Sequence, residues 1–249
     1  MDCSLSTVNA AGLLEPNDIS LYVGIPFCPT RCAYCSFVAQ SVEKSFGMVE
    51  PYLEALMDEI ESAGKMVRER GLAIKSFYMG GGTPTTLSAE QMDAVLTRCE
   101  SVLPLDGCTE FTVEAGRPDT ITREKLEAIR DGGGNRISVN PQPFNDDTLR
   151  RIGRAHTGHE TVEAYRMARA LGFDDINMDL IAALPGETPE IFAESLNKVI
   201  ELAPESITVH SLAIKRSSKL HEEMHVSGSG HTQVTAEGAA NMIAHARSL

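Results

Sequence analysis

Six short apolar runs of β type, each separated from the next by a longer amphipathic stretch, constrain this 249-residue chain more than any other feature. The runs are Ile19–Ile25, Lys75–Met79, Thr109–Glu114, Arg136–Val139, Ile176–Leu180 and Ser206–Leu212. A strand regularly followed by a helix returns the chain to the same end of the sheet, so its neighbours run parallel. Most of these runs are expected to be apolar on both faces, as strands covered on two sides are. Pattern alone leaves three closures open: a full eightfold barrel, a six-unit partial barrel, or an open doubly wound sheet.

The intervening segments carry helix signals. Leu53, Leu56, Met57, Ile60, Ala63 and Val67 share one helical face, Ser88 with Gln91 makes a capping box, and Thr188-Pro189 reads as an N-cap followed by proline in the first turn. Phe192, Leu196, Val199 and Ile200 then recur at helical spacing, and Met57, Met66, Met167 and Met178 are expected in the core. Residues 1–17 are weakly patterned and read as an extension, 18–225 as the α/β barrel, and 226–249, with Ser227-Gly228-Ser229-Gly230, as a linker with one short helix.

The net charge of −13 removes the broadly basic surface that a phosphate-gripping protein needs, so a nucleic-acid partner is not expected. The start, Met1-Asp2-Cys3-Ser4-Leu5-Ser6, has neither the basic nor the apolar region of a secretory signal, and no run is long enough to span a bilayer. The expectation is a soluble, cytoplasmic protein whose cysteines are thiols or metal ligands rather than disulfides.

Three of its six cysteines, Cys28, Cys32 and Cys35, fall within eight residues directly after the first strand, whereas Cys3, Cys99 and Cys108 are scattered. Structural zinc takes four protein ligands and catalytic zinc commonly includes histidine, so three cysteines without one suit zinc poorly. A cubane iron–sulfur cluster on three thiolates leaves one iron open to a chelating small molecule. Three glycines at Gly80-Gly81-Gly82 follow the second strand, where backbone can pass close to a ligand. The histidines His156, His159, His210, His221, His225, His231 and His245 show no metal spacing relative to the cysteines; His210, in the sixth strand, faces the expected mouth.

The C-x3-C-x2-C spacing with Tyr34 before its last cysteine resembles the radical S-adenosylmethionine (SAM) family. The runs Tyr22–Cys28, Gly80–Thr85, Arg136–Gln142 and Asp179–Gly186 resemble the oxygen-independent coproporphyrinogen III oxidase group within it. Cys-Ala-Tyr-Cys-Ser-Phe, Val-Asn-Pro-Gln-Pro-Phe and Leu-Ala-Ile-Lys-Arg-Ser-Ser at 212–218 are most similar to its coproporphyrinogen dehydrogenase (HemZ) branch.

The resemblance implies a partial (β/α)6 TIM-type barrel. It implies a [4Fe–4S] cluster on Cys28, Cys32 and Cys35, with SAM on its open iron giving a 5′-deoxyadenosyl radical. Tyr22 and Tyr34 would lie beside them, Gly81, Gly82 and Thr83 would receive the SAM amino group, and Glu114, Gln142, Arg154, Asp179 and Ala213 would contact SAM. The implied reaction turns the propionates of coproporphyrinogen III into the vinyl groups of protoporphyrinogen IX, with a low-potential electron donor such as flavodoxin or ferredoxin. A haem-binding chaperone role without oxidase activity is the implied alternative.

For a polyanionic tetrapyrrole, Arg31, Arg117, Arg150, Arg151, Lys215 and Arg216 are the candidate carboxylate partners. Gly24 and Phe37 stand where known oxidases carry a histidine and a further cysteine. The match fades after about Leu220, so the C-terminal region is expected to be truncated.

Overall fold

The computed structural model describes residues 12–36, 40–227 and 234–249. Cys3, Phe37, His231 and the glycines of the expected linker lie outside them, as does the His225 side chain.

Six strands form one parallel sheet in sequential order: β1 Asp18–Ile25, β2 Ala73–Gly81, β3 Glu110–Gly116, β4 Arg136–Val139, β5 Asp175–Ala182 and β6 Ser206–Ser211. Every run expected from the sequence is a strand, with ends shifted by at most about two residues, which is ordinary for element boundaries. In a doubly wound sheet the strand order reverses at a switch point. Here it never reverses, and right-handed crossovers therefore place all the helices on one face of a curled half-barrel.

The helices of that layer are α1 Val49–Glu69, α2 Ala89–Val102, α3 Arg123–Asp131, α4 Asp146–Arg151, α5 Gly158–Ala170 and α6 Pro189–Leu202; α7 Lys219–Ser227 and α8 Ala236–Arg247 follow β6. Their starts are set by side-chain caps. Ser88 and Thr157 form complete capping boxes, and Thr122, Asn145 and Thr188 each accept a backbone N–H of the first turn. Leu53, Leu56, Ile60 and Val67 bury the inner face of α1, and Phe192, Leu196 and Val199 that of α6. Ile200, by contrast, is 42% exposed and Met66 46% exposed, so neither belongs to the core; both sit off the buried stripe of their helix.

The strands are not apolar on both faces. Ile19, Leu21, Val23 and Ile25 of β1, Phe77 and Met79 of β2, Phe111 and Val113 of β3, Ile137 and Val139 of β4, and Ile176, Met178 and Leu180 of β5 join the helices in one core. The alternate positions are polar and bond to one another across the sheet. Ser76 Oγ donates to Ser20 Oγ at 2.7 Å; Asn177 donates to Ser138 at 2.9 Å and accepts from Ser206 and Thr208, each at 2.9 Å. Helices cover only the convex face, so the period-2 alternation separates an apolar wall from a polar, concave one. Ser138 and Asn177 are nevertheless only 4% exposed, because the curl of the sheet buries them, and they are accordingly hydrogen-bonded to each other rather than apolar.

Among the described residues no helix is long and apolar enough to cross a membrane.

Candidate active site at the strand ends

The cysteine loop leaves β1 through Pro26 and is tied to the exit of β2. Gly82 N–H donates to Ile25 O and Thr83 N–H to Phe27 O, both at 2.8 Å, while Cys28 Sγ lies 3.5 Å from Thr83 Oγ1. This approach needs glycine. Gly81 has φ of +112°, and a Cβ on Gly82 would stand 2.6 Å from Phe27 O and 3.0 Å from Cys28 Sγ.

The far side of the loop is clamped as well. Ala33 N–H donates to Ile152 O at 2.9 Å, Leu220 N–H to Ala33 O at 2.8 Å, and Arg31 Nη2 to Ser217 O at 2.6 Å. The loop is thus held between the α4–α5 turn and the segment after β6.

Two buried guanidiniums flank Cys32. Arg154 donates through Nη1 to Asn140 O at 3.2 Å and through Nη2 to the Tyr34 hydroxyl at 3.3 Å, and the Tyr34 hydroxyl donates on to Gln142 Oε1 at 3.3 Å. Arg154 Nε is buried with no hydrogen-bond partner among the described residues. Arg117, only 2% exposed, reaches the loop from the end of β3 and places Nη1 3.9 Å from Cys32 Sγ.

Burial pushes the Cys28 thiol up, against the lowering effect of Thr83, and Cys32 and Cys35 raise it further. Burial also raises Tyr34. Arg154 is held further up by Tyr34 and Cys32 although burial opposes its charge.

The polar wall supplies the next side chains. Tyr22 stacks on Tyr78, with ring centroids 5.9 Å apart and planes at 10°, and Tyr78 Oη lies 3.5 Å from Glu114 Oε2. Burial and the Asp179 carboxylate push Glu114 up to about 7, while Arg154 pulls it down. Asn177 holds Asp179 at 2.6 Å. Asp179 O accepts from Gln142 N–H at 3.0 Å, with Gln142 at a φ of +70°, a strained value for a side chain with Cβ.

The expected residues therefore gather at one end of the sheet: Cys28, Cys32, Cys35, Tyr34, Gly81, Gly82, Thr83, Glu114, Gln142, Arg154 and Asp179 are linked directly or through one neighbour. Tyr22 is 59% exposed but joins them through Tyr78. Ala213 is exposed just beyond β6, where Leu212 N–H donates to Ala182 O at 3.0 Å, and no side-chain contact draws it in.

Among the candidate carboxylate partners, Arg117 is corrected: it is buried and paired with Asp119 at 3.2 Å. Arg151 bonds Pro185 O at 2.9 Å, and Arg150 pairs with Asp147 on the exposed face of α4. Arg31, Lys215 and Arg216 are exposed. His210 is exposed as well. Sequence reasoning missed Tyr78, Asn140 and the support offered by Asp119 and His156. A signal existed for Tyr78, which occupies the polar alternate position of β2 two residues before Gly80.

The cysteine loop suits an iron–sulfur cluster. Its donors are three thiols in one loop with two buried cations beside them, and Gly82 opens the space next to Cys28 that a Cβ would fill. Three-ligand zinc sites commonly include histidine, and none lies among residues 26–36 of this loop.

Known proteins agree with this architecture. HemZ of Bacillus subtilis, an oxygen-independent coproporphyrinogen-III oxidase-like protein, is 44% identical over 210 residues, 84% of this chain and 42% of HemZ. The haem chaperone HemW of the same organism is 35% identical over 206 residues, 82% of this chain and 53% of HemW. The structure of coproporphyrinogen III oxidase (HemN) from Escherichia coli, a radical SAM enzyme, matches with a TM-score of 0.80 at 26% identity, covering 98% of this chain and 55% of that one. The chain thus spans about half the length of these relatives. The radical SAM superfamily model itself matches residues 22–199. With the six-stranded half-barrel and the three-cysteine loop, that match places this chain in the radical SAM superfamily, whose cofactors are a [4Fe–4S] cluster and SAM.

Proposed function

We propose that this chain is the cofactor-bearing barrel of an oxidative decarboxylase that converts coproporphyrinogen III propionates to vinyl groups. Cys28, Cys32 and Cys35 hold the cluster, Tyr22 and Tyr34 lie beside the cluster and SAM, and Gly81, Gly82, Thr83, Glu114, Gln142, Arg154, Asp179 and Ala213 face SAM. The observation that carries this reading is the gathering of the cysteine loop, the glycine turn, Glu114 and Asp179 at one end of a parallel sheet, where barrels of this type place their chemistry.

When bound, the cluster and SAM would supply a 5′-deoxyadenosyl radical able to take a hydrogen atom from a propionate; the vinyl group then forms with loss of carbon dioxide, the released electron passing to an external one-electron acceptor. The chain's own residues prepare the place. Gly81 and Gly82 let backbone approach a ligand closely; the Gly82 and Thr83 N–H groups are already donated to Ile25 O and Phe27 O, so this turn would meet an ammonium with its carbonyl oxygens. Glu114 and Asp179 offer acceptors for an ammonium or ribose hydroxyls. Arg31, Lys215 and Arg216, exposed at the rim, meet the carboxylates of a polyanionic substrate. About half of each relative's length has no counterpart in this chain; in this reading a further region of that kind closes the mouth against water.

A haem-binding chaperone is the second reading, supported by the 35% identity to HemW. Anaerobic reconstitution with iron and sulfide, addition of SAM and reductant, and assay of 5′-deoxyadenosine with and without coproporphyrinogen III separate the two. Substrate-stimulated 5′-deoxyadenosine with protoporphyrinogen, both absent in Cys32→Ala, supports the decarboxylase. Tight haem binding without tetrapyrrole conversion supports the chaperone.

A further inference from the structure

We infer that Arg117 is a positioning residue that sets the reduction potential of the cluster, by directing a charge-assisted N–H···S bond at Cys32 from a buried ion-paired platform. The inference rests on the reading that Cys32 is a cluster ligand.

Arg117 leaves the end of β3 one residue beyond Gly116 and turns under the cysteine loop. All three of its nitrogens are engaged. Nε and Nη2 donate to Asp119 Oδ1 and Oδ2, each at 3.2 Å, in the bidentate fork that fixes a guanidinium plane. Nη1 donates to Thr30 O at 3.2 Å and Thr30 Oγ1 at 2.8 Å, and stands 3.9 Å from Cys32 Sγ.

The platform is itself braced. Asp119 Oδ1 lies 3.5 Å from Nδ1 of His156, an ion-pair distance rather than a formed hydrogen bond, and His156 Nε2 lies 3.3 Å from Pro141 O. His156 is only 2% exposed. Asp119 is held well below the usual carboxylate range: His156 and Arg117 lower it against the effect of burial. Thr30 Oγ1 donates on to Gly153 O at 3.1 Å, so the loop that Arg117 touches is tied to the α4–α5 turn.

A buried arginine committed to a carboxylate has a structural purpose without any cluster. What that purpose does not explain is the third nitrogen, which points past Asp119 into the cysteine loop and ends on Thr30 and Cys32. Three thiolates outweigh the charge of the iron–sulfide core, so the assembly is anionic and reduction makes it more so. A buried guanidinium with an N–H on a ligand sulfur stabilises the reduced form more than the oxidised one, and hydrogen bonds to sulfur are a known lever on cluster potentials. Arg154, on the other side of Cys32, donates to Tyr34 and Asn140 and also interacts with the same sulfur, through charge and a hydrogen bond.

The test is an EPR-monitored redox titration of the anaerobically reconstituted full chain as wild type, Arg117→Gln and Arg117→Lys, with iron and sulfide content measured alongside. Arg117→Gln is expected to keep wild-type iron and sulfide while its midpoint moves to a more negative potential, with Arg117→Lys between the two. A midpoint for Arg117→Gln equal to that of wild type overturns the inference.

If Arg117→Gln does not fold, Thr30→Val decides, since it keeps the charge and removes the hydroxyl that competes for Nη1. A less negative midpoint supports the inference, and an unchanged or more negative one overturns it. Failure of the wild-type protein to take up any cluster overturns the cysteine assignment and this inference with it. A cluster whose potential ignores both variants overturns this inference alone.

Discussion

Arg154 and Tyr34, 120 residues apart in the chain, meet through a 3.3 Å hydrogen bond that joins the turn after α4 to the cysteine loop. The same guanidinium fixes Asn140 O at the exit of β4, and Tyr34 continues to Gln142. One buried cation thereby sets the spacing of the loop from two strand ends.

Replacing Arg154 with Met keeps the volume of the stem and removes these donors. Hydrogen bonds to charged groups contribute about 1.5–3 kcal/mol each, and losing two is partly offset by no longer burying a charge, so a loss of roughly 2–4 kcal/mol in unfolding free energy is expected. Urea denaturation followed by circular dichroism measures it. A change below about 0.5 kcal/mol would show that the bridge is not structural.

Gly82→Ala brings a Cβ to 2.6 Å from Phe27 O and 3.0 Å from Cys28 Sγ, and backbone cannot yield there without moving the cysteine loop. Overpacking of this kind costs about 1–3 kcal/mol. The chain is expected to fold but to retain a small fraction of the wild-type iron and sulfide after anaerobic reconstitution. Full cluster content in this variant would contradict the close approach.

Glu114 carries a pH signature. Its carboxyl rises from 4.5 to about 7 in the folded chain, chiefly through burial and then through Asp179. Between those values the folded state binds the proton and the unfolded state does not, so stability falls as pH rises from about 4.5 to 7, by on the order of 3 kcal/mol in all. Glu187, also raised to about 7 by burial, acts in the same window. Glu114→Gln is expected to flatten roughly half of that slope in the cluster-free protein, as read by urea midpoints across this range. An unchanged slope would mean that Glu114 is ionised in the fold.

Gly64→Ala separates packing from chemistry. On α1 a Cβ at this position would press into Val102 O of α2, well inside contact distance. A destabilisation of about 1–3 kcal/mol is expected, with cluster content per folded chain unchanged. Loss of the cluster at unchanged stability would reverse the assignment of this contact to the helical layer.

The six strands, the capped starts of α2 and α6, and the cysteine spacing are legible in the sequence because each is local: periodicity, caps and spacings act within a few residues. The polar lining of the half-barrel was written in the same alternation, Ile176-Asn177-Met178-Asp179 for example, yet such strands read as covered on both faces when apolar residues dominate them. Asn177 and Ser138 are buried by the curvature of the sheet, a property of six strands together and of none alone.

Arg117 shows the same division. By sequence it is one more cation available to an anionic substrate; in the fold it is buried, forked onto Asp119 and aimed at Cys32. Local sequence determined which residues would stand at the strand ends and that three thiols would share one loop. Only the tertiary structure decided which side chains meet across 50 to 190 residues of chain, such as Arg31 with the carbonyl of Ser217, because those pairings follow from how the sheet curls and not from any pattern within a segment.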